Sequence, residues 1–274
     1  MKPIQLISPV DGSIYAERTP LSPTEALAVV TRAKAAQKAW AARSLEDRIA
    51  LVKAAVAKLN TMTDVVVEEI AWQMGRPTRY GGEFGGVNAR TDYMASIAAK
   101  TLAPEMIEDS AQFRRYLARE AVGVVFIIAP WNYPYLTTIN TLVPALIAGN
   151  SVVLKHASQT LLVGERIAEA FHAAGVPEDV FQNVVLDHAT TERLIGARSF
   201  GFVNFTGSVG GGQAIERAAA GTFTGIGLEL GGKDPAYVRA DVDLAHAIEN
   251  VVDGAYFNSG QCCCGIERIY VHEQ

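Results

Sequence analysis

The chain has no excess of basic charge: 24 lysines and arginines stand against 29 acidic residues, for a formal net charge of −5. Without a cationic field or a Lys/Arg-rich block, nothing recruits a phosphate backbone, so nucleic acid is not an expected partner. Long apolar runs are missing as well. The most apolar stretch, Val122 to Trp131, is far too short to span a bilayer. The opening Met1 to Pro9 lacks the sustained apolar core of a secretory signal. A cytoplasmic location without a membrane partner is therefore expected. Cysteine is scarce, with three residues, all adjacent: Cys262, Cys263 and Cys264. Neighbouring cysteines bridge only through a strained small ring and there is no fourth, which excludes a disulfide framework. The histidines, His156, His172, His188, His246 and His272, supply no pair at the spacing that structural zinc uses, and no metal is expected. Two options remain for the cysteines: a buried apolar cluster, which composition alone favours, or a nucleophile.

What the chain does have is enough apolar material for a large core. With 274 residues, 49% hydrophobic and 19% charged, it reads as globular, either one big domain or two smaller ones. The N-terminal third reads as helical. Ser22-Pro23-Thr24-Glu25 combines an N-cap serine, a proline at the first helical position and a capping-box glutamate ahead of an Ala-rich run to Arg43. Ser44-Leu45-Glu46-Asp47 starts a second helix with Ile49, Val52, Val56 and Leu59 on one face, and two or three more helices follow to about Leu102. From Phe113 to Val125 polar and apolar residues roughly alternate. This predicts an extended ribbon, either an arm reaching another subunit or an edge hairpin of the same domain.

Beyond the ribbon, strand and helix patterns alternate. Strands are predicted at 122–129, 151–155, 180–186, 201–205 and 225–230, and helices at 137–148, 161–174, near Thr190, 211–220 and 244–256. This predicts an α/β fold, a parallel sheet covered by helices on both faces, with ligands beyond the carboxyl ends of the strands. Four notable segments stand at strand ends: Pro130-Trp131-Asn132-Tyr133-Pro134, Lys155-His156-Ala157-Ser158, Phe205-Thr206-Gly207-Ser208-Val209-Gly210-Gly211-Gly212 and Glu229-Leu230-Gly231-Gly232-Lys233. The glycine segment offers backbone N–H groups and a helix dipole to a pyrophosphate, although it lacks the G-x-G-x-x-G spacing of the usual fingerprint.

Together with Phe257-Asn258-Ser259-Gly260-Gln261-Cys262-Cys263-Cys264, these segments resemble the aldehyde dehydrogenase superfamily, in the family's order and over essentially the whole chain. The resemblance implies a Rossmann-like fold, an NAD or NADP cofactor and a small aldehyde as substrate. It also implies a homo-dimer or homo-tetramer in the full-length form, with the ribbon near 108–125 as the oligomerisation arm. Residues 1–255 correspond to the cofactor-binding domain and 256–274 to the beginning of the catalytic domain. The nucleophile falls on Cys263, two places after the Gly-Gln pair's glutamine, with Cys262 and Cys264 as packing residues and Arg268 as a supporting arginine.

An oxyanion needs a placed donor, and Asn132 matches the family's asparagine; the backbone N–H of Cys263 is the second donor. Thioester hydrolysis needs a base, and Glu229 matches it, with glycines alongside that leave room for water. On the cofactor side, Gly207, Ser208 and Gly212 match the pyrophosphate contact and Lys155 the adenosine-ribose lysine. Ile128, Trp131, Glu229 and Leu230 border the same site. Ser158 stands where many NAD-preferring relatives have a glutamate, which removes a barrier to the 2′-phosphate of NADP. Leu186-Asp187-His188 replaces a Pro-Gly turn common near the pyrophosphate. Only ten residues follow Cys264, where the family continues into a second α/β domain, so the resemblance implies a piece of a longer enzyme, expected to have little turnover of its own. The alternative is a non-catalytic dinucleotide-binding or assembly module of the same family.

Overall fold

The computed structural model describes residues 2–273. The chain opens with an antiparallel hairpin, β1 (Ile4–Ile7) and β2 (Ile14–Arg18), rather than with a helix. Its turn holds Gly12 at φ +78, a left-handed position glycine takes without a steric cost. The helices expected next are present. In α1 (Pro23–Ala41) the Ser22 hydroxyl accepts from the Glu25 N–H at 3.3 Å and the Glu25 carboxylate accepts from the Ser22 N–H at 2.8 Å, the reciprocal capping box. In α2 (Leu45–Asn60) Ser44 caps the Asp47 N–H at 3.1 Å, and Val52, Val56 and Leu59 are buried. Next come α3 (Thr63–Met74), ended by left-handed Gly75, and α4 (Phe84–Leu102).

The ribbon is an antiparallel hairpin, β3 (Glu105–Asp109) with β4 (Arg114–Leu117), whose residues are nearly all exposed. It begins before the expected span and ends at Leu117. Among the described residues it pairs with no other strand.

The body of the protein is a five-stranded parallel sheet. In chain order it contains β5 (Val124–Ile128), α5 (Pro134–Ile147), β6 (Ser151–Lys155), α6 (Leu161–Ala173), β7 (Phe181–Val184), α7 (His188–Gly196), β8 (Phe202–Thr206), α8 (Val209–Ala219) and β9 (Gly225–Glu229). The strand order is β7-β6-β5-β8-β9, so the chain builds outward from β5 on one side, then crosses back and builds on the other. Residue parity on β5 sorts the core. Val125 and Ile127 join the cluster under α2, α5 and α6, whereas Val124, Phe126 and Ile128 join the cluster under α1, α7 and α8. A strand buried on both faces has to be apolar throughout, and all five residues of β5 are.

A second parallel pair follows. β10 (Asp234–Val238) and β11 (Ile266–Val271) flank α9 (Leu244–Tyr256) in a βαβ unit with its own two-stranded sheet. Neither strand was expected from the pattern, because their polar and proline positions mask them. No helix among the described residues is long and apolar enough to cross a membrane.

Candidate active site

The reversal of strand order falls between β5 and β8, and a crevice opens there beyond the strands' carboxyl ends, as it must when neighbouring crossovers run in opposite directions. It forms a cavity of about 630 Å³. Its wall takes in Ile128 at the end of β5 with Trp131 and Asn132 after it, Lys155 at the end of β6 with Ser158 after it, Gly207 and Ser208 after β8, Leu230 after β9, and Cys263. The expected residues of four strand ends and the distant cysteine run thus meet in one space. Glu229 and Gly212 do not line it. Glu229 is exposed at the end of β9, where its carbonyl accepts from the Gly207 N–H at 2.9 Å. Gly212 is buried inside α8, with a Leu230 methyl 2.7 Å from where its Cβ would stand. His188, flagged by its replacement of a turn near the pyrophosphate, shares the wall with Thr191 and Glu192 of α7, which the sequence signal missed.

The N-terminus of α8 meets the cavity through Ser208, whose hydroxyl caps the Gly211 N–H at 3.1 Å. The first-turn N–H groups of a helix have no intrahelical acceptor and carry the positive end of the dipole, which suits an anion. Gly207 contributes room rather than a donor, since its N–H is spent on Glu229. Lys155 is 8% exposed, and burial lowers its pKa against the opposing influence of Asp187. Asp187 caps α7 by accepting from the Thr190 N–H at 2.7 Å, and that bond holds its carboxyl below the usual range.

The cysteines sit in a tight turn. The Gly265 N–H donates to the Cys262 carbonyl at 3.2 Å, folding the chain back over Cys263 and Cys264. All three thiols are free. Cys262 and Cys264 are not packing residues as expected: Cys262 lines the cavity beside Cys263, and Cys264 is exposed. The turn brings the Cys262 and Cys264 sulfurs to 3.3 Å. That contact pushes the Cys264 thiol up to about 11, leaving it protonated at neutral pH. Burial and then Cys262 raise the Tyr133 hydroxyl. Across from the turn, a Cβ on Gly232 would stand 2.6 Å from the Cys263 carbonyl oxygen, so only glycine lets the segment after Glu229 pass so close to Cys263.

A buried network that the motifs did not reveal joins the two loops bearing Asn132 and Cys263. Arg76 pairs with Glu83 at 2.6 Å, donates to Asn258 Oδ1 at 2.8 Å and to the Asn132 carbonyl at 2.6 Å, and lies over the Tyr133 ring at 5.1 Å. Asn258 is fully buried and donates to the Asn132 carbonyl at 3.1 Å and to the Gln261 carbonyl at 3.2 Å. Glu83 also accepts from the Leu136 N–H at 2.7 Å, at the start of α5. Burial pushes its carboxyl up, with Arg76 opposing. The network holds Asn258 (φ 52), Ser259 (φ 59) and Gly260 (φ 75) left-handed, a conformation that costs the two non-glycine residues about 1 kcal/mol each. Arg76, placed between a helix-ending glycine and a proline, was the available signal. A charge at such a tight turn needs a partner.

His156 is also buried. Its Nδ1 accepts from the Ala157 N–H at 3.0 Å, which leaves Nε2 to donate to the Pro134 carbonyl at 3.3 Å. Burial lowers its pKa to about 4, so the ring is neutral.

Known proteins share this fold. The family model described as "Aldehyde dehydrogenase family" matches residues 1–274. This chain belongs to the aldehyde dehydrogenase family. It is 33% identical over 98% of its length to 3,6-anhydro-alpha-L-galactose dehydrogenase of Streptomyces coelicolor, of which it covers 55%. Among solved structures, PnpE in complex with nicotinamide adenine dinucleotide superposes with a TM-score of 0.93 at 29% identity, over 99% of this chain and 56% of that one. Succinic semialdehyde dehydrogenase from Streptococcus pyogenes, in complex with NADP+, gives a TM-score of 0.91 at 26% identity, over 98% of this chain and 59% of that one. The chain therefore spans somewhat more than half the length of these relatives. The α/β sheet is the family's Rossmann-like domain.

Proposed function

We propose that this chain binds a nicotinamide dinucleotide and carries the thiol nucleophile of an enzyme that oxidises an aldehyde to a carboxylic acid. The observation that carries the reading is the convergence of Asn132, Lys155, Ser158, Ser208 and Cys263 on one cavity at the switch point. The residues suit the cofactor. The capped N-terminus of α8 offers backbone donors to a pyrophosphate, Lys155 and Ser158 border the part expected to hold the adenosine ribose, and the size lies within the range of ligand clefts, about 300–1,000 Å³. When bound, the nicotinamide supplies the hydride acceptor.

The chain's own groups do the rest. The Cys263 thiolate adds to the carbonyl carbon, and the Asn132 side-chain amide and the Cys263 N–H stabilise the oxyanion. After oxidation Cys263 holds the acyl group as a thioester. Glu229, which is exposed and a short glycine segment away from Cys263, takes a proton from the attacking water. Unpaired thiols suit a reducing compartment such as the cytoplasm. The isolated hairpin β3–β4 serves as an assembly arm for a homo-dimer or homo-tetramer. Residues 1–255 act as the cofactor domain and 256–274 as the start of the catalytic domain. A semialdehyde is the favoured substrate class, in keeping with one of the solved relatives.

Alkylation of the chain at neutral pH tests the nucleophile. Cys263 should react first and be protected by NAD+ or NADP+ together with an aldehyde, whereas equal labelling of the three cysteines sinks the reading. Calorimetric titration tests the cofactor. Because Ser158 brings no carboxylate, NADP+ should bind comparably to NAD+, and a preference for NAD+ of about hundredfold, or about 2.7 kcal/mol, would overturn this.

A further inference from the structure

We propose that Cys262, Cys263 and Cys264 together form a binding site for one thiophilic divalent cation of the zinc and cadmium class, with all three sulfurs as ligands. The sulfurs lie within 4.8 Å of one another, and the Cys262–Cys264 pair stands at 3.3 Å. Tetrahedral coordination with metal–sulfur bonds of about 2.3 Å requires sulfurs about 3.8 Å apart, between those two separations. The turn fixed by the Gly265–Cys262 hydrogen bond already gathers the three side chains, so only a small adjustment is asked of each sulfur.

The adjacency that excludes a disulfide framework is no obstacle here. Structural zinc sites use spaced cysteine pairs so that the backbone can wrap the ion, and the tight turn gives three neighbouring side chains the same convergence. Three free thiols select soft and borderline ions over magnesium and calcium. Cys263 and Cys264 are exposed, which gives the ion its entry path and leaves the fourth position to water. The bonding is balanced: one divalent ion forms three metal–sulfur bonds, three thiol protons leave to solvent, and the complex carries one negative charge. Its consequence for catalysis rests on the reading of Cys263 as nucleophile. A coordinated Cys263 sulfur cannot attack a carbonyl, so the ion blocks the site until a chelator removes it.

The test is a titration of the reduced 274-residue chain with Cd2+, following thiolate-to-cadmium charge-transfer absorption and alkylation of Cys263. The expected result is a band that saturates at one ion per chain, disappears with EDTA, and coincides with loss of Cys263 labelling. Loss of even an outer-shell partner costs about 10–100-fold in affinity, so Cys262→Ser and Cys264→Ser should each weaken binding by at least about tenfold. Circular dichroism identifies a variant that has not folded, and Cys262→Ala and Cys264→Ala are the replacements for it. Absence of the band at equimolar Cd2+, or undiminished affinity in either variant, overturns the site. If the metal binds as expected but metal-free Cys263 alkylates no faster than its neighbours, the site stands and the nucleophile reading falls.

Discussion

Two βαβ stretches of this chain share one pattern and differ in surroundings. In the central sheet β5 and β6 are buried on both faces, and Phe126 stacks on Phe200 at 4.4 Å. In the unit made by β10, α9 and β11 no helical residue is buried, and Leu244, Ile248, Val252 and Tyr256, spaced four apart on one face, are 62%, 55%, 51% and 71% exposed. The difference teaches that periodicity tells which face of a helix is apolar but not what covers it. The same alternation gives a two-sided core in one place and an open amphipathic face in the other.

Substitutions can break this contrast. Phe126→Ala removes a ring packed on all sides and should cost about 3–5 kcal/mol in urea unfolding. Arg76→Met cuts the link between the two regions, leaving Glu83 buried without its cation. About 3 kcal/mol should be lost, and hydrogen exchange should accelerate at residues 257–264. A more conservative change, Arg76→Lys, should restore less than half, because a lysine cannot reach Glu83, Asn258 and the Asn132 carbonyl together.

Acid sharpens the comparison. The buried His156 has a pKa of about 4, below its unfolded value, so the unfolded chain binds a proton that the folded chain refuses. This contribution is complete above the unfolded pKa and falls as pH drops through the window toward 4. Between pH 7 and pH 5 it should lower stability by about 2 kcal/mol. His156→Asn should flatten that slope. The smallest effect belongs to the open unit: Ile248→Ser should change the unfolding free energy by no more than about 0.5 kcal/mol. A larger loss would mean that the α9 face is covered.

Most of the body was legible because its signals are local. Ser22 with Glu25, and the apolar runs of β5 and β6, act within a few residues, and the boundaries followed them closely. Hairpin β1–β2 was missed although Asp11-Gly12-Ser13 marks its turn, since its strands are only four and five residues long and just one of their residues, Leu6, is fully buried. The strands β10 and β11 were hidden because Asp234, Pro235, Glu267 and Arg268 break up their apolar runs. In the site, residues at strand ends could be placed once the alternation was read. Arg76, Glu83 and Asn258 could not, because their meaning lies in contacts between segments as much as 182 residues apart. Cys264 was misjudged for a related reason: a tight turn sends neighbouring side chains to one centre, which a strand would not do.

The close approach of Gly232 to the Cys263 carbonyl has a mechanical consequence. The segment leaving β9 and the thiol-bearing turn behave as two parts bolted without a spacer, so displacing one carries the other along. Tuning Glu229 by altering the residues behind it therefore shifts the thiol as well. The two groups form one adjustable piece, and a variation that suits one is accepted only when it also suits the other.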